Sequence, residues 1–234
     1  LIFLFPLSIF LRSYFTEGLF LLGLIWFAYF LIKRRWITTA LILGCLVCTR
    51  PTGLFLLPIF FFILTKRLVK KDIAFIKYLI LLLIAILPFA LWMFYCYIQT
   101  GNAFYFYYAR SAWFSNPFPL FHNLKLLYFF PNLPVHGFHY SQLDALTALL
   151  TGLFLIFSKK YLQIEFWLIS LVLFLGPLLT TDTMSFTRYQ TVSFPIFLYL
   201  AQVLKGYKFW TVVTIFALGL LFASLLFVNW YWIG

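Results

Sequence analysis

Arg12, Arg50, Arg110 and Arg188 each stand alone beside a polar turn, in a chain whose other basic residues mostly run in clusters. An arginine inside a membrane span costs about 2.5–3.5 kcal/mol on insertion scales and usually lines a cavity or pathway. Arg50 and Arg188 sit at the ends of apolar runs, so snorkelling to the lipid headgroups is the plainer explanation for each alone. Several isolated arginines converging on one face point further. The planar guanidinium fork suits bidentate binding of phosphate, such as that of a lipid-linked donor at the membrane surface.

The five acidic residues divide in the same way. Asp72 and Glu165 lie near lysines, which accounts for them as ion-pair partners. Glu17, Asp144 and Asp182 lie on the opposite face; Glu17 and Asp182 flank polar breaks, where a carboxylate serves as general base, metal ligand or arginine partner, or caps a helix N-terminus. His136-Gly137-Phe138-His139 has metal-ligand spacing, with no third ligand identified. A divalent metal is therefore a candidate cofactor without a ligand set, and no other cofactor is expected. Cys45 and Cys48 are three apart in an apolar run and read as small core residues; a redox pair needs a helix N-terminus and partial exposure.

These residues are held by apolar runs. The chain is 65% hydrophobic and 24% aromatic, with 9% charged residues. A soluble domain carries about a quarter charged residues, so the composition points to an all-α, polytopic transmembrane helical bundle. The net charge of +12 is spread over short connectors, not over one solvated face, so no nucleic-acid partner is expected. Residues 1–10 read as the end of a helix begun upstream, kinked at Pro6. The spacing predicts spans over 18–32, 36–49, 54–65, 73–97, 143–157, 164–180, 189–204 and a last one after Lys208. That makes about eight spans plus a partial one in a single transmembrane domain, 1–234. The chain begins inside an apolar run too short to span and reads as N-terminally truncated. The segment 99–142 is the long stretch without a sustained apolar run. It carries His122, His136, His139, Arg110 and many aromatic residues, and reads as an outer-face, substrate-facing loop.

The basic connectors 33–35, 66–72, 158–163 and 205–208 fall on one face if each run crosses once; with Lys77 they hold twelve of the seventeen basic residues. The positive-inside rule makes that face cytoplasmic. The isolated arginines, the loop 99–142 and the breaks at 12–17, 50–53 and 182–188 are then non-cytoplasmic.

In this order, RSYFTEGLF (12–20), CTRPTGL (48–54), TGNAFYFYYARSAW (100–113) and MSFTRYQTVSFPIFLYLA (184–201) resemble the PIG-V-like mannosyltransferases. That family comprises the second mannosyltransferase of glycosylphosphatidylinositol-anchor synthesis and its prokaryotic relatives. The correspondence runs through Tyr14 and Glu17, Thr49 and Arg50, Gly101, Asn102 and Trp113, and Arg188, Tyr189, Phe194 and Pro195. The resemblance implies a type C, inverting glycosyltransferase. It would move mannose or another hexose from a polyprenyl-phosphate sugar to the hydroxyl of a glycolipid or other acceptor on the non-cytoplasmic face. The membrane would be the plasma membrane in a prokaryote and the endoplasmic reticulum in a eukaryote. Arg50, Arg110, Trp113, Arg188, Tyr189 and Asn102 would bind substrate, with Glu17 as an orienting carboxylate. Asn102 stands where the family commonly has Asp, and the acidic base of such enzymes would lie on a loop before Leu1. Two other readings fit many spans and outer arginines: a transporter or flippase of lipid-linked saccharides, and a non-catalytic membrane partner of such an enzyme. A transporter should show an internal repeat and mid-membrane polar groups, and the sequence shows neither.

Overall fold

A computed structural model describes residues 1–109, 141–180, 185–231 and 233. The described residues are mostly helical and contain no strand. The helices are α1 (Glu17–Ile32), α2 (Trp36–Thr49), α3 (Leu57–Val69), α4 (Phe75–Thr100), α5 (Tyr105–Ala109), α6 (Gln142–Ser158), α7 (Ile164–Thr180), α8 (Phe186–Gln190), α9 (Phe194–Val203) and α10 (Tyr207–Val228). Among the described residues, three are long and apolar enough to cross a membrane: α4, α10, and α3 together with the 3₁₀ segment Pro51–Leu56 that leads into it. The apolar helices α1, α2, α6, α7 and α9 are shorter, at 10–17 residues. At about 1.5 Å per residue these fall short of a hydrocarbon core about 30 Å thick. Helix α10 buries Ala223 and exposes Trp210, Leu218, Leu221 and Phe222, a surface suited to lipid rather than water.

The chain forms two compact units, with the boundary inside α1. One contains residues 22–115. Its central contact is α2 against α4. A Cβ on Gly44 would lie 2.7 Å from Cγ of Pro88 and 3.4 Å from the carbonyl oxygen of Ile84, so only glycine admits this approach. Pro88 cannot donate to that Ile84 carbonyl, and it sits inside α4 as prolines do in membrane helices whose neighbours pack closely. Helix α4 ends at Gly101, whose left-handed φ of 72° lets its N–H close on the Tyr97 carbonyl at 2.8 Å. Asn102 then accepts the Phe104 N–H through its side-chain oxygen at 2.8 Å, starting α5. The first two residues of the 99–142 segment are thus helical, as are Tyr105–Ala109.

The other unit contains residues 1–21 and 116–234. Residues 1–10 differ from the expected helix end: they form two 3₁₀ turns, Ile2–Leu4 and Ser8–Leu11. Phe5, which precedes Pro6, is forced out of the helical region to ψ 137°. Leu7 and Phe10 pack with Ala223 and Ile233 in one apolar cluster. The expected span 189–204 is also divided, into α8 and α9 with a break at 191–193. Pro195 explains it, since a proline lacks the N–H that would bond the carbonyl four residues back, that of Thr191, and its ring clashes there. Placed near the start of α9, the same proline costs nothing. Cys45 and Cys48 are exposed instead of buried in the core.

Candidate functional site

The short helix α8 is fixed on several sides, and those contacts define the site. Its N-cap, Ser185, is in the left-handed region at φ 61°. Thr187 donates its N–H to Oδ1 of Asp144 at 2.7 Å, and its hydroxyl donates to Oγ1 of Thr147 at 3.0 Å. Asp144 is itself positioned by a capping arrangement at the start of α6. Ser141 Oγ accepts the Asp144 N–H at 3.0 Å and donates to Oδ2 at 2.8 Å. Gln190 donates through Nε2 to the Leu173 carbonyl at 3.3 Å, and Thr191 Oγ1 donates back to the Arg188 carbonyl at 2.7 Å. All these partners belong to one compact unit, so α8 is a braced platform.

Arg188 projects from that platform. Its Nε donates to Oε1 of Glu17 at 2.5 Å, joining residues 171 apart in the chain. Glu17 begins α1 and has no exposed side-chain surface; the Arg188 side chain is 13% exposed. The guanidinium carbon lies 4.4 Å from the ring centre of Phe10 and 4.2 Å from that of Phe15. These two rings meet edge-on at 5.1 Å. A desolvated guanidinium needs a carboxylate and hydrogen bonds to offset the loss of water, and aromatic faces add cation–π attraction. The arrangement holds the arginine in one orientation, which suits recognition of an anion by geometry as well as by charge. Tyr189 is partly buried next to it, whereas Tyr14 of the first motif is fully exposed.

Arg50 belongs to the other unit. It follows α2 and precedes Pro51, which forces it to an extended conformation (φ −151°, ψ 144°). The Gly53 N–H then bonds the Arg50 carbonyl at 2.9 Å. A Cβ at Gly53 would meet the Leu46 carbonyl oxygen at 2.5 Å. The Arg-Pro-Thr-Gly break is therefore a tight turn that places Arg50 at a cavity of about 250 Å³, lined also by Thr49, Pro51, Phe89, Trp92 and Phe106. Asn102 has a structural task, since its side-chain oxygen caps the turn into α5.

Of the residues singled out in the sequence, the structure brings Glu17 and Arg188 together and gives Arg50 a cavity of its own. Arg110, Trp113, Asp182 and the three histidines lie outside the described residues. Among the described residues no group of three His, Cys, Asp or Glu is placed to hold a metal ion. Asp72 pairs with Arg67 at 2.9 Å. Sequence reasoning overlooked Phe10 and Phe15, which carry no signal beyond their apolar character. It gave Asp144 no role, although a signal exists: Ser141-x-x-Asp144 just before an apolar run is the pattern of a helix cap. No family model, curated protein or solved structure matches the chain.

Proposed function

We propose that the protein is a membrane glycosyltransferase of the PIG-V-like kind, built on about eight spans. It moves mannose or another hexose from a polyprenyl-phosphate sugar to an acceptor hydroxyl on the non-cytoplasmic face. The observation that carries this reading is the buried, ring-flanked Glu17–Arg188 pair. It joins the first and last of the four motifs on which the resemblance rests. In the reaction, the acceptor oxygen attacks the anomeric carbon as the bond from that carbon to the phosphate oxygen breaks. The electron pair leaves on the polyprenyl phosphate, and an oriented guanidinium stabilises the charge developing there. Arg188 has that role, and Glu17 is the positioning residue that holds it. The acceptor proton passes to an acidic base, as the resemblance implies. Tyr189, next to Arg188 and partly buried, is the further donor-binding residue of this unit.

The test is hexose transfer by the protein reconstituted in vesicles with a polyprenyl-phosphate hexose and a glycolipid acceptor. Arg188→Ala should lower turnover by about 10²–10³, the usual effect of removing one donor from an anion-stabilising site. Unchanged turnover removes Arg188 from the site. A lipid-linked saccharide transporter is the second reading, favoured by the broken helix pair α8–α9 with its buried Gln190, Thr191 and Ser193. Translocation of the donor without a transfer product would select it.

A further inference from the structure

The unit of residues 22–115 gathers its charge at one end. Eight basic residues lie in the connectors 33–35 and 66–71 and at Lys77, against one carboxylate, Asp72, which Arg67 takes up at 2.9 Å. The connectors share an end because α2 and α4 run parallel and begin level. Gly44, eight residues past the start of α2, meets Ile84, nine past the start of α4; further on, Val47 and Cys48 share a cavity with Phe89 and Trp92. The Thr65 hydroxyl lies 3.3 Å from that of Tyr78, which ties the end of α3 to the start of α4.

Both connectors are built alike. After α1 the Arg34 N–H bonds the Leu31 carbonyl at 3.2 Å and the Arg35 N–H bonds that of Phe30 at 3.0 Å. After α3 the Lys71 N–H bonds the Leu68 carbonyl at 2.9 Å and the Asp72 N–H bonds that of Arg67 at 2.9 Å. This pair of bonds needs one left-handed residue, usually glycine. Helix α4 uses Gly101 at its far end, but here the residues are Arg34 at φ 57° and Lys71 at φ 58°. A Cβ is disfavoured in that region, so at both places a cation stands where glycine would fold at lower cost. Cations do favour a helix C-terminus, but Lys33 after α1 and Lys66 and Arg67 in the last turn of α3 already supply that charge.

We infer that this end binds the phosphate headgroups of anionic phospholipids, with the lipid chains on the apolar surface beside it. Arg34, Arg35, Lys70, Lys71 and Lys77 are exposed, and so are Phe62, Phe75, Ile76 and Ile80 on the adjoining turns of α3 and α4. The Lys66 ammonium lies 4.2 Å from the ring centre of Phe62, at the boundary between the two surfaces. A ligand that covers both must be an amphiphile with a negative head; a soluble polyanion would use the charge and leave the apolar surface bare. The inference goes beyond the proposed reaction and does not depend on it.

The test is a titration of the purified protein in detergent micelles with brominated dioleoylphosphatidylglycerol, read by quenching of tryptophan fluorescence. Trp36, which follows Arg35, is the nearest reporter. Brominated dioleoylphosphatidylcholine, which has no net charge, is the reference, and the anionic lipid should bind more tightly. Arg34→Gly and Lys71→Gly should each weaken phosphatidylglycerol binding about fivefold, the ratio that about 1 kcal/mol per cation produces, and leave phosphatidylcholine binding unchanged. Both variants should nevertheless unfold at a temperature no lower than the wild type, since glycine suits the left-handed position. Arg34→Lys should keep the preference, and Asp72→Asn, which releases Arg67, should strengthen it. A lowered unfolding midpoint with an unchanged lipid preference would make these cations helix caps and overturn the inference. Equal affinity of the wild type for the two lipids overturns it as well. Glycerophosphoglycerol, the headgroup without chains, should compete only at far higher concentration; equal potency would assign the patch to a soluble anion and overturn the lipid assignment.

Discussion

Separating Glu17 from Arg188 should cost more than separating any exposed ion pair, and the two halves of the pair should cost different amounts. Removing one partner of a buried pair costs about 3–5 kcal/mol, because the other charge keeps its desolvation penalty. Glu17→Ala leaves a guanidinium that is 13% exposed and still lies over Phe10 and Phe15. Cation–π contact at about 0.5–2 kcal/mol per ring offsets part of its loss, placing this variant at the lower end, about 3 kcal/mol. Arg188→Ala takes the guanidinium from a carboxylate with no exposed surface. It belongs at the upper end, about 5 kcal/mol. At roughly 2–4 °C per kcal/mol for a chain of this size, the midpoint should fall by about 6–12 °C for Glu17→Ala and about 10–20 °C for Arg188→Ala. The double variant removes both charges and should recover about 2–3 kcal/mol of the summed loss. The assay is thermal unfolding in detergent micelles, followed by tryptophan fluorescence, for the two single variants and the double. Additive losses of under about 1 kcal/mol each would refute the argument, since an exposed pair behaves that way.

Two further outcomes follow from the packing and are read in the same unfolding assay. Asp144→Ala deprives the Thr187 N–H and the Ser141 hydroxyl of a buried acceptor and should cost about 2–4 kcal/mol. Asp144→Asn, which keeps one acceptor oxygen, should cost less; equal losses would mean that the hydrogen bond to α8 is not what Asp144 contributes. Gly44→Ala places a methyl 2.7 Å from Cγ of Pro88 and should cost about 1–3 kcal/mol, with Pro88→Ala restoring part of it. Wild-type stability in Gly44→Ala would show that α2 and α4 do not approach as closely as described.

Much of the fold is legible in the chain because apolar runs and their interruptions are local. The span expected at 36–49 coincides with α2, and that at 164–180 with α7. The Arg-Pro and Thr-Gly-Asn breaks fall where a proline or a left-handed glycine ends a helix. Pro6 and Pro195 mark where such reading fails. A proline can kink a helix, start one or forbid one, and which of these occurs depends on the chain around it. At Phe5 the backbone turns extended, and after Thr191 the helix breaks and restarts, so neither segment is the continuous run that hydropathy alone implies. The site was legible only in part. Isolated arginines stand out because charge is rare in such a chain, but the rings around Arg188 come from two phenylalanines among thirty-three.

The sequence by itself determined that the protein is helical and suited to a membrane. It also set the breaks at Arg50-Pro51 and at Gly101 and which arginines stand outside the basic clusters. Each of these depends on a residue and its immediate neighbours, through side-chain transfer energy and backbone stereochemistry. The tertiary structure alone decided that Glu17 faces Arg188 across 171 residues, that Asp144 braces the helix carrying Arg188, and that Trp92 and Phe106 wall the cavity at Arg50. Those pairings follow from which helix faces close against one another. A buried charge or ring is stabilised by the groups that surround it in space, and those groups are not its neighbours in sequence.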